Sequence, residues 1–305
     1  MNSEQLLNEL GVYDLTPVEQ RGRFLFKRDD LFASFGADSV NGGKLRQGAF
    51  LLAQAKEQGY KRIITGCSIH SPQAPIIAAL AKHFGLSCRV IYGGTDWNHI
   101  KDLQMPKLVD YFGSSIQFAK SGRSNVLYAE AKKIQEKSDF IVQYGMCSED
   151  PKNFVAFYES TANQVRNLPD KIDNLVVVCG SGITSAGILY GLQRYNKHVN
   201  HIWLIGNGPN RKKKIEERLS QLAFNTGIPC WNCNFNYIDL FGQGLKYETS
   251  IKANFSDIEF HENYEAKAFD WIIKNENKFK NQEIGFWIIG SKPKLLETEN
   301  ANRNL

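Results

Sequence analysis

Short β-branched runs alternate along this chain with longer stretches in which apolar residues recur at helical spacing. Arg62-Ile63-Ile64-Thr65 reads as a buried strand, because a brief run of branched side chains suits a pleated surface covered on both faces. Ser71 to Phe84 reads as a helix, opened by Ser and Pro and ended by Gly85. The same rhythm predicts strands at Cys88 to Tyr92, Ser115 to Phe118 and Phe140 to Val142, with helices at Asn98 to Phe112 and Asn125 to Lys137. It resumes after Pro151 with a helix to about Asn167, a strand at Leu175 to Cys179 and a helix at Thr184 to Arg194. A strand at His201 to Ile205 and a helix at Asn210 to Phe224 follow. Strands near Tyr237 to Leu240 and Phe286 to Ile289, with a helix from about Asn263 to Lys274, complete the series.

Strand–helix alternation predicts an α/β fold of mostly parallel sheets flanked by helices. A break near Ser148 to Lys152 divides it into two lobes. Ligands in such sheets sit at the carboxyl ends of strands. That rule directs attention to the loops around Lys44, Ser68 to Gln73 and Gly180 to Thr184.

Composition narrows the picture. With 42% apolar and 23% charged residues, general disorder is excluded. No apolar run is long enough to cross a bilayer, and Met1 to Leu10 lacks a basic-then-apolar layout, so the expected location is cytoplasmic, in the host cytoplasm if the chain is viral. Six cysteines are too sparse for a disulfide scaffold. Cys230 and Cys233 alone have ligand-like spacing, and without a second pair no metal site is expected. The net charge of +5 is mild, and Arg211 to Lys214, followed by Glu216 and Glu217, reads as a solvated helix face. The polar C-terminal segment from Glu297 reads as frayed.

Three loops carry candidate chemistry. In Val178-Cys179-Gly180-Ser181-Gly182-Ile183-Thr184 a strand runs into glycines and hydroxyls ahead of a helix, a setting that favours an anion. It lacks the Gly-Lys-Ser/Thr ending of a nucleotide-binding loop, and an ordinary tight turn would look the same. In Asn41-Gly42-Gly43-Lys44 a lysine follows two glycines where a ligand can approach closely, and lysine forms Schiff bases when its amine loses a proton. In Gly66-Cys67-Ser68-Ile69-His70-Ser71-Pro72-Gln73 free N–H groups and hydroxyls could bind a carboxylate, or could simply cap a helix. His70 is a candidate proton carrier or a capping group.

Together these residues resemble the fold-type-II pyridoxal-phosphate enzymes, the tryptophan synthase β-like superfamily, and within it the aminocyclopropanecarboxylate deaminase and D-cysteine desulfhydrase branch. The resemblance rests on Lys27-Arg28-Asp29-Asp30-Leu31, the turn with Lys44 and Arg46, Ser68-x-His70-x-x-Gln73 and Gly180-Ser181-Gly182-x-Thr184, in that order. Phe241-Gly242-Gln243-Gly244 and Asn263-Tyr264-Glu265-Ala266-Lys267-Ala268 add two further blocks. It implies a small lobe at 45–150, and a large cofactor-binding lobe from 1–44 and 151–305, with the cofactor between them. It implies that Lys44 holds pyridoxal 5'-phosphate as a Schiff base and shuttles a proton. Gly180, Ser181, Gly182, Ile183 and Thr184 would bind the phosphate. Ser68, Ile69, His70, Ser71 and Gln73 would bind the substrate carboxylate, with Ser68 and Tyr264 taking part in catalysis. Glu265 would face the ring nitrogen and favour its protonated form, unless it merely pairs with Lys267.

The chain departs from the family pattern at Gly43 and Ile69, where the family has Asn, and at Pro72, where it is often basic. The expected activity is a deaminase or β-eliminating lyase on a free amino acid. Two alternatives stay open. One is a decarboxylase or lyase on an amino acid attached to a larger anionic molecule, such as a modified thymidine in viral DNA. The other is a non-catalytic binding protein. The resemblance also implies a homodimer.

Overall fold

The computed structural model describes residues 2–94, 96–148, 150–229 and 235–298. Cys230, Cys233 and the last seven residues, 299–305, lie outside the described residues. Helix α1 (Ser3–Glu9) leads into a hairpin of β1 (Val18–Arg21) and β2 (Phe24–Arg28). Helix α2 (Gly43–Glu57) then precedes a strictly alternating unit: β3 (Arg62–Cys67), α3 (Gln73–His83), β4 (Ser87–Gly93), α4 (Gln104–Tyr111), β5 (Ser115–Ala119), α5 (Ser124–Ile134) and β6 (Asp139–Val142). These four strands form one parallel sheet in the order β5-β4-β3-β6.

The rest of the chain runs through α6 (Phe154–Ala162), β7 (Lys171–Cys179), α7 (Ile183–Arg194), β8 (His198–Gly206), α8 (Lys212–Thr226) and β9 (Phe235–Asp239). A small antiparallel pair, β10 (Asn254–Phe255) and β11 (Ile258–Glu259), precedes α9 (Glu265–Lys274) and β12 (Ile284–Ile288). The second sheet has the order β1-β2-β12-β7-β8-β9 and is parallel except for the β1–β2 hairpin. The fold is therefore α/β with mostly parallel sheets flanked by helices.

Strand β7 shows why its sequence sits at the centre. Residues 174–179 are all buried, as a strand covered on both faces requires. Val176 and Val178 face a core with Phe26, Ile272 and Phe286, while Leu175, Val177 and Cys179 face the other core with Ile183 and Ala186. Placing a helix layer on each face leaves only the strand ends open to a ligand.

Several elements differ from the sequence expectation. Strand β2 is buried along its whole length although it contains Lys27 and Arg28. Lys27 Nζ donates to the Thr16 carbonyl and to Asn167 Oδ1, both at 2.8 Å, and Arg28 pairs with Asp30 and Glu19. Buried charges held by hydrogen-bond and ion-pair partners are tolerated in this strand, which the sequence pattern did not predict. The stretch expected as a helix from Asn98 begins as a short 3-10 turn, Trp97–His99, and α4 starts only at Gln104. Pro106 then falls in its first turn, where the missing N–H costs nothing. Helix α9 starts at Glu265, because Tyr264 has φ −129° and ψ −90°.

Five loops follow the carboxyl ends of parallel strands and converge. They are Ser68 to Pro72 after β3, Gln143 to Met146 after β6, Gly180 to Gly182 after β7, Gly208 to Arg211 after β8, and Ile289 to Ser291 after β12. Together they line one cavity of about 320 Å³.

Candidate active site

Lys44 is the second residue of α2, and its position depends on the two glycines before it. Gly42 has φ +86°, and a Cβ there would lie 2.1 Å from the Ile289 carbonyl oxygen. A Cβ on Gly43 would meet Asp29 Oδ2 at 2.6 Å. With glycines in both places the chain packs directly on the exit of β12, and the Gly43 N–H donates to the Ile289 carbonyl at 2.8 Å. Asp29 is itself fixed by fully buried Arg46, whose guanidinium also donates to the Val12 carbonyl and lies 3.8 Å over the Phe32 ring. The Lys-Arg-Asp-Asp and Lys-x-Arg blocks thus act as scaffold for the turn that carries Lys44.

The Lys44 ammonium reaches the cavity, where Nζ donates to Gln47 Oε1 at 2.9 Å, the Gly145 carbonyl at 3.0 Å and Ser181 Oγ at 3.4 Å. Burial, helped by the Arg218 guanidinium, lowers its pKa from the usual lysine range to about 7. Neutral amine is therefore plentiful at neutral pH, as condensation with an aldehyde requires. Gln47 Nε2 donates to Thr161 Oγ1 at 3.2 Å and Thr184 Oγ1 at 3.0 Å, which leaves its carbonyl oxygen turned towards Lys44.

One wall is the loop between β7 and α7. Gly180, Ser181, Gly182 and Thr184 line the cavity, whereas the Ile183 side chain is packed in the core. Gly182 is left-handed with φ +79°, and a Cβ there would meet Ile215 of α8 at 2.8 Å. Arg218 donates to the Ser181 carbonyl at 3.1 Å and braces the loop from behind. Two donors on this wall have no partner: Ser185 Oγ and Arg211 Nε are buried, unbonded, and belong to residues that line the cavity. Arg211, expected on a solvated face, turns inward, while Lys212, Lys213 and Lys214 are exposed.

The floor carries Glu265, the first residue of α9 and 2% exposed. Its Oε1 accepts from the N–H groups of Ile289 at 3.1 Å and Gly290 at 3.3 Å, and burial raises its carboxyl pKa to about 8. Lys267 does not serve as its partner, because it donates to the Lys246 carbonyl at 3.0 Å and the Tyr247 carbonyl at 2.7 Å. Tyr247 is held so that its hydroxyl bonds that of Tyr264, and both tyrosines line the cavity. Burial raises both phenols, so protons stay on this hydroxyl pair.

The opposite wall is the Ser68 to Gln73 loop. Ser68, Ser71 and Gln73 line the main cavity, whereas Ile69 and His70 line a smaller adjoining one. The loop spends its own donors: His70 N–H donates to Ser68 Oγ at 3.4 Å, Ser71 N–H to the Ser68 carbonyl at 2.9 Å and Gln73 N–H to Ser71 Oγ at 3.3 Å. Gln73 is equally committed. It donates to Thr65 Oγ1 and to the Gln143 carbonyl, and accepts from the Gly145 N–H at 2.7 Å, thereby holding the carbonyl that Lys44 uses. With the N–H groups of His70, Ser71 and Gln73 already engaged, the Ser68 and Ser71 hydroxyls are the side-chain groups this loop turns to the main cavity.

Pyridoxal 5'-phosphate presents an aldehyde, a phosphate and a pyridine nitrogen, and each has a match. A lysine of lowered pKa stands at the centre, two unpartnered buried donors lie on the glycine wall, and a buried carboxyl of raised pKa lies on the floor. Sequence reasoning did not single out Gln47, Ser185, Arg211, Arg218, Tyr247 or His261 as site residues. Gln47, three residues after Lys44 on one helix, was the most accessible of these. Among the described residues no group of His, Cys, Asp and Glu could hold a metal ion, and no helix is long and apolar enough to cross a membrane.

Fold and site together define a fold-type-II pyridoxal-phosphate enzyme. The pattern of the family described as pyridoxal-phosphate dependent enzyme matches residues 15–226, and the chain belongs to that family. It is 28% identical to the O-seryl-dTMP PLP-dependent decarboxylase of Salmonella phage ViI, over 96% of this chain and 85% of that protein. It is 25% identical to the 1-aminocyclopropane-1-carboxylate deaminase of Pseudomonas syringae pv. tomato, over 71% of this chain and 68% of the other. Among solved structures, an ACC deaminase homologue superposes with a TM-score of 0.72 at 21% identity, covering 99% of this chain and 92% of its own. Escherichia coli diaminopropionate ammonia lyase gives 0.61 at 13% identity, over 98% and 89%.

Proposed function

We propose that this enzyme removes the α-carboxyl group, as carbon dioxide, from an amino acid carried on a nucleotide. The observation that carries this reading is the self-satisfied Ser68 to Gln73 loop. The N–H groups of His70, Ser71 and Gln73 are spent within the loop, so a substrate carboxylate meets fewer backbone donors there and relies on hydroxyls. A carboxylate taken from water and given few donors is raised in energy, whereas the neutral carbon dioxide it becomes loses nothing. The phage decarboxylase, similar over nearly the whole chain, supports the same choice.

The cofactor, when bound, supplies an electron sink for the pair left at the α-carbon. Lys44 would carry it; Gly180 to Thr184, with Ser185 and Arg211, would hold its phosphate; Glu265 would face its ring nitrogen. Glu265 tends to keep a proton at neutral pH, so a proton shared between its carboxyl and a ring nitrogen costs little there. Ser68 and Ser71 orient the carboxyl group. Lys44 Nζ, with a pKa near neutrality, both takes up and gives back a proton, and the net change consumes one proton per carbon dioxide released. The Tyr264–Tyr247 pair closes the site with protonated hydroxyls. The proposal includes a homodimer in the cytoplasm, with residues 45–150 as the small lobe and 1–44 with 151–305 as the large one.

Carboxyl-labelled serine, free and joined through its side-chain oxygen to thymidine monophosphate, separates the possibilities. Labelled carbon dioxide from the nucleotide-linked amino acid, without ammonia, is the expected result. Keto acid and ammonia from free serine, D-cysteine or aminocyclopropanecarboxylate would instead establish the deaminase or β-eliminating reaction.

A further inference from the structure

A second cavity of about 180 Å³ adjoins the first. Three segments line both with neighbouring residues. Ser68 faces the first and Ile69 and His70 the second; Tyr264 faces the first and Asn263 the second; Ser291 faces the first and Lys292 the second. His261 lines both. The smaller cavity is therefore a side chamber of the site.

We infer that this side chamber receives the uncharged pyrimidine ring to which the substrate amino acid is attached, with His261 Nε2–H donating to a ring carbonyl. The assignment rests on the nucleotide-linked substrate proposed above. His261 is 6% exposed, and its Nε2 has no hydrogen-bond partner. Its Nδ1 accepts from the Asn263 N–H at 3.3 Å, which places the ring proton on Nε2 and leaves a buried donor aimed at no acceptor. Such a group is costly unless a ligand completes it. Burial lowers the imidazole pKa to about 4, so at neutral pH it is a neutral donor suited to a carbonyl.

The chamber's other walls agree. Ile69, Leu103 and Met105 provide apolar surface for the faces of a flat ring. Glu248 and Glu262 stand against the single ammonium of Lys292, a charge balance that disfavours a phosphate and leaves that group to lie outside. The His261 ring also stands edge-on to Tyr264, with centroids 4.9 Å apart, so a ring held by His261 lies beside the main cavity.

The test uses cofactor-loaded enzyme and thymidine monophosphate without an amino acid, its binding measured by calorimetry. Two variants are compared with the unaltered chain: His261→Phe, which removes the donor, and Ser250→Trp, which fills the chamber from its exposed rim. Retained cofactor absorbance shows that each variant folds. The assignment predicts that thymidine monophosphate binds and that affinity falls about tenfold or more in both variants. Equal affinity in all three proteins, or no binding to the unaltered chain, would overturn it. Carbon dioxide release from the nucleotide-linked serine is followed in parallel. Variant-sensitive binding without turnover supports the chamber and sinks the reaction assignment. Turnover insensitive to both variants supports the reaction and sinks the chamber.

Discussion

The glycine loop after β7 and the serine loop after β3 occupy matching places, each between a parallel strand and a helix, yet they treat their donors in opposite ways. Around the first, Ser185 Oγ and Arg211 Nε are buried and unbonded. Around the second, the N–H groups of His70, Ser71 and Gln73 are consumed within the loop. Leaving a buried donor unpaired costs free energy that only a resident ligand returns, which suits a cofactor phosphate that stays. A loop that satisfies itself grips weakly, which suits a substrate carboxylate that must leave. On the proposed reading, similar local geometry serves retention on one side and release on the other.

Three substitutions sharpen that contrast. The largest effect is expected at the floor beneath both walls. Glu265→Gln is expected to lower turnover on the order of 100-fold, because the carboxyl proposed to bias the ring nitrogen is gone. The same variant has a signature in cofactor-free protein. The folded carboxyl titrates at about 8 instead of near 4.5, so the folded state holds an extra proton in between. This contribution to stability is complete below pH 4.5 and disappears as pH rises through about 8. Denaturant midpoints taken across that window should fall more steeply for the unaltered chain than for Glu265→Gln.

Next in size is Arg211→Ala. Removing one charge-assisted donor from the retaining wall should weaken cofactor binding about 30-fold, read by absorbance titration. Smallest is Ser71→Ala on the releasing wall. It should raise the substrate KM about fivefold, the loss of one hydrogen bond from an uncharged hydroxyl, and shift cofactor affinity less than twofold. If Ser71→Ala weakened the cofactor as much as Arg211→Ala, the contrast between the walls would be lost.

Much of this was legible before the structure. The alternating runs gave the parallel strands and covering helices, because period and punctuation are local properties. Lys44, Gly180 to Gly182 and Glu265 stood out through their neighbours along the chain. The side chains that complete the site did not, for physical reasons. Arg211 sits in a run of four basic residues whose other members are exposed, and only the turn before α8 sends it inward. Tyr247 lies in a stretch without periodic structure and is fixed by Lys267, twenty residues away. Gln73 looked like a ligand-binding group, and the structure shows its amide fully engaged with Thr65, Gln143 and Gly145. The β1–β2 hairpin was obscured by Lys27 and Arg28, whose burial depends on partners such as Asn167, 140 residues away.

The most direct test of the whole account is to reduce the cofactor-loaded enzyme with borohydride, digest it and map the peptide that carries the cofactor mass. The structure predicts one modified site, Lys44, and no labelling of Lys44→Ala. A label on another lysine, or an unlabelled chain after full cofactor loading, would contradict the assignment of the central amine.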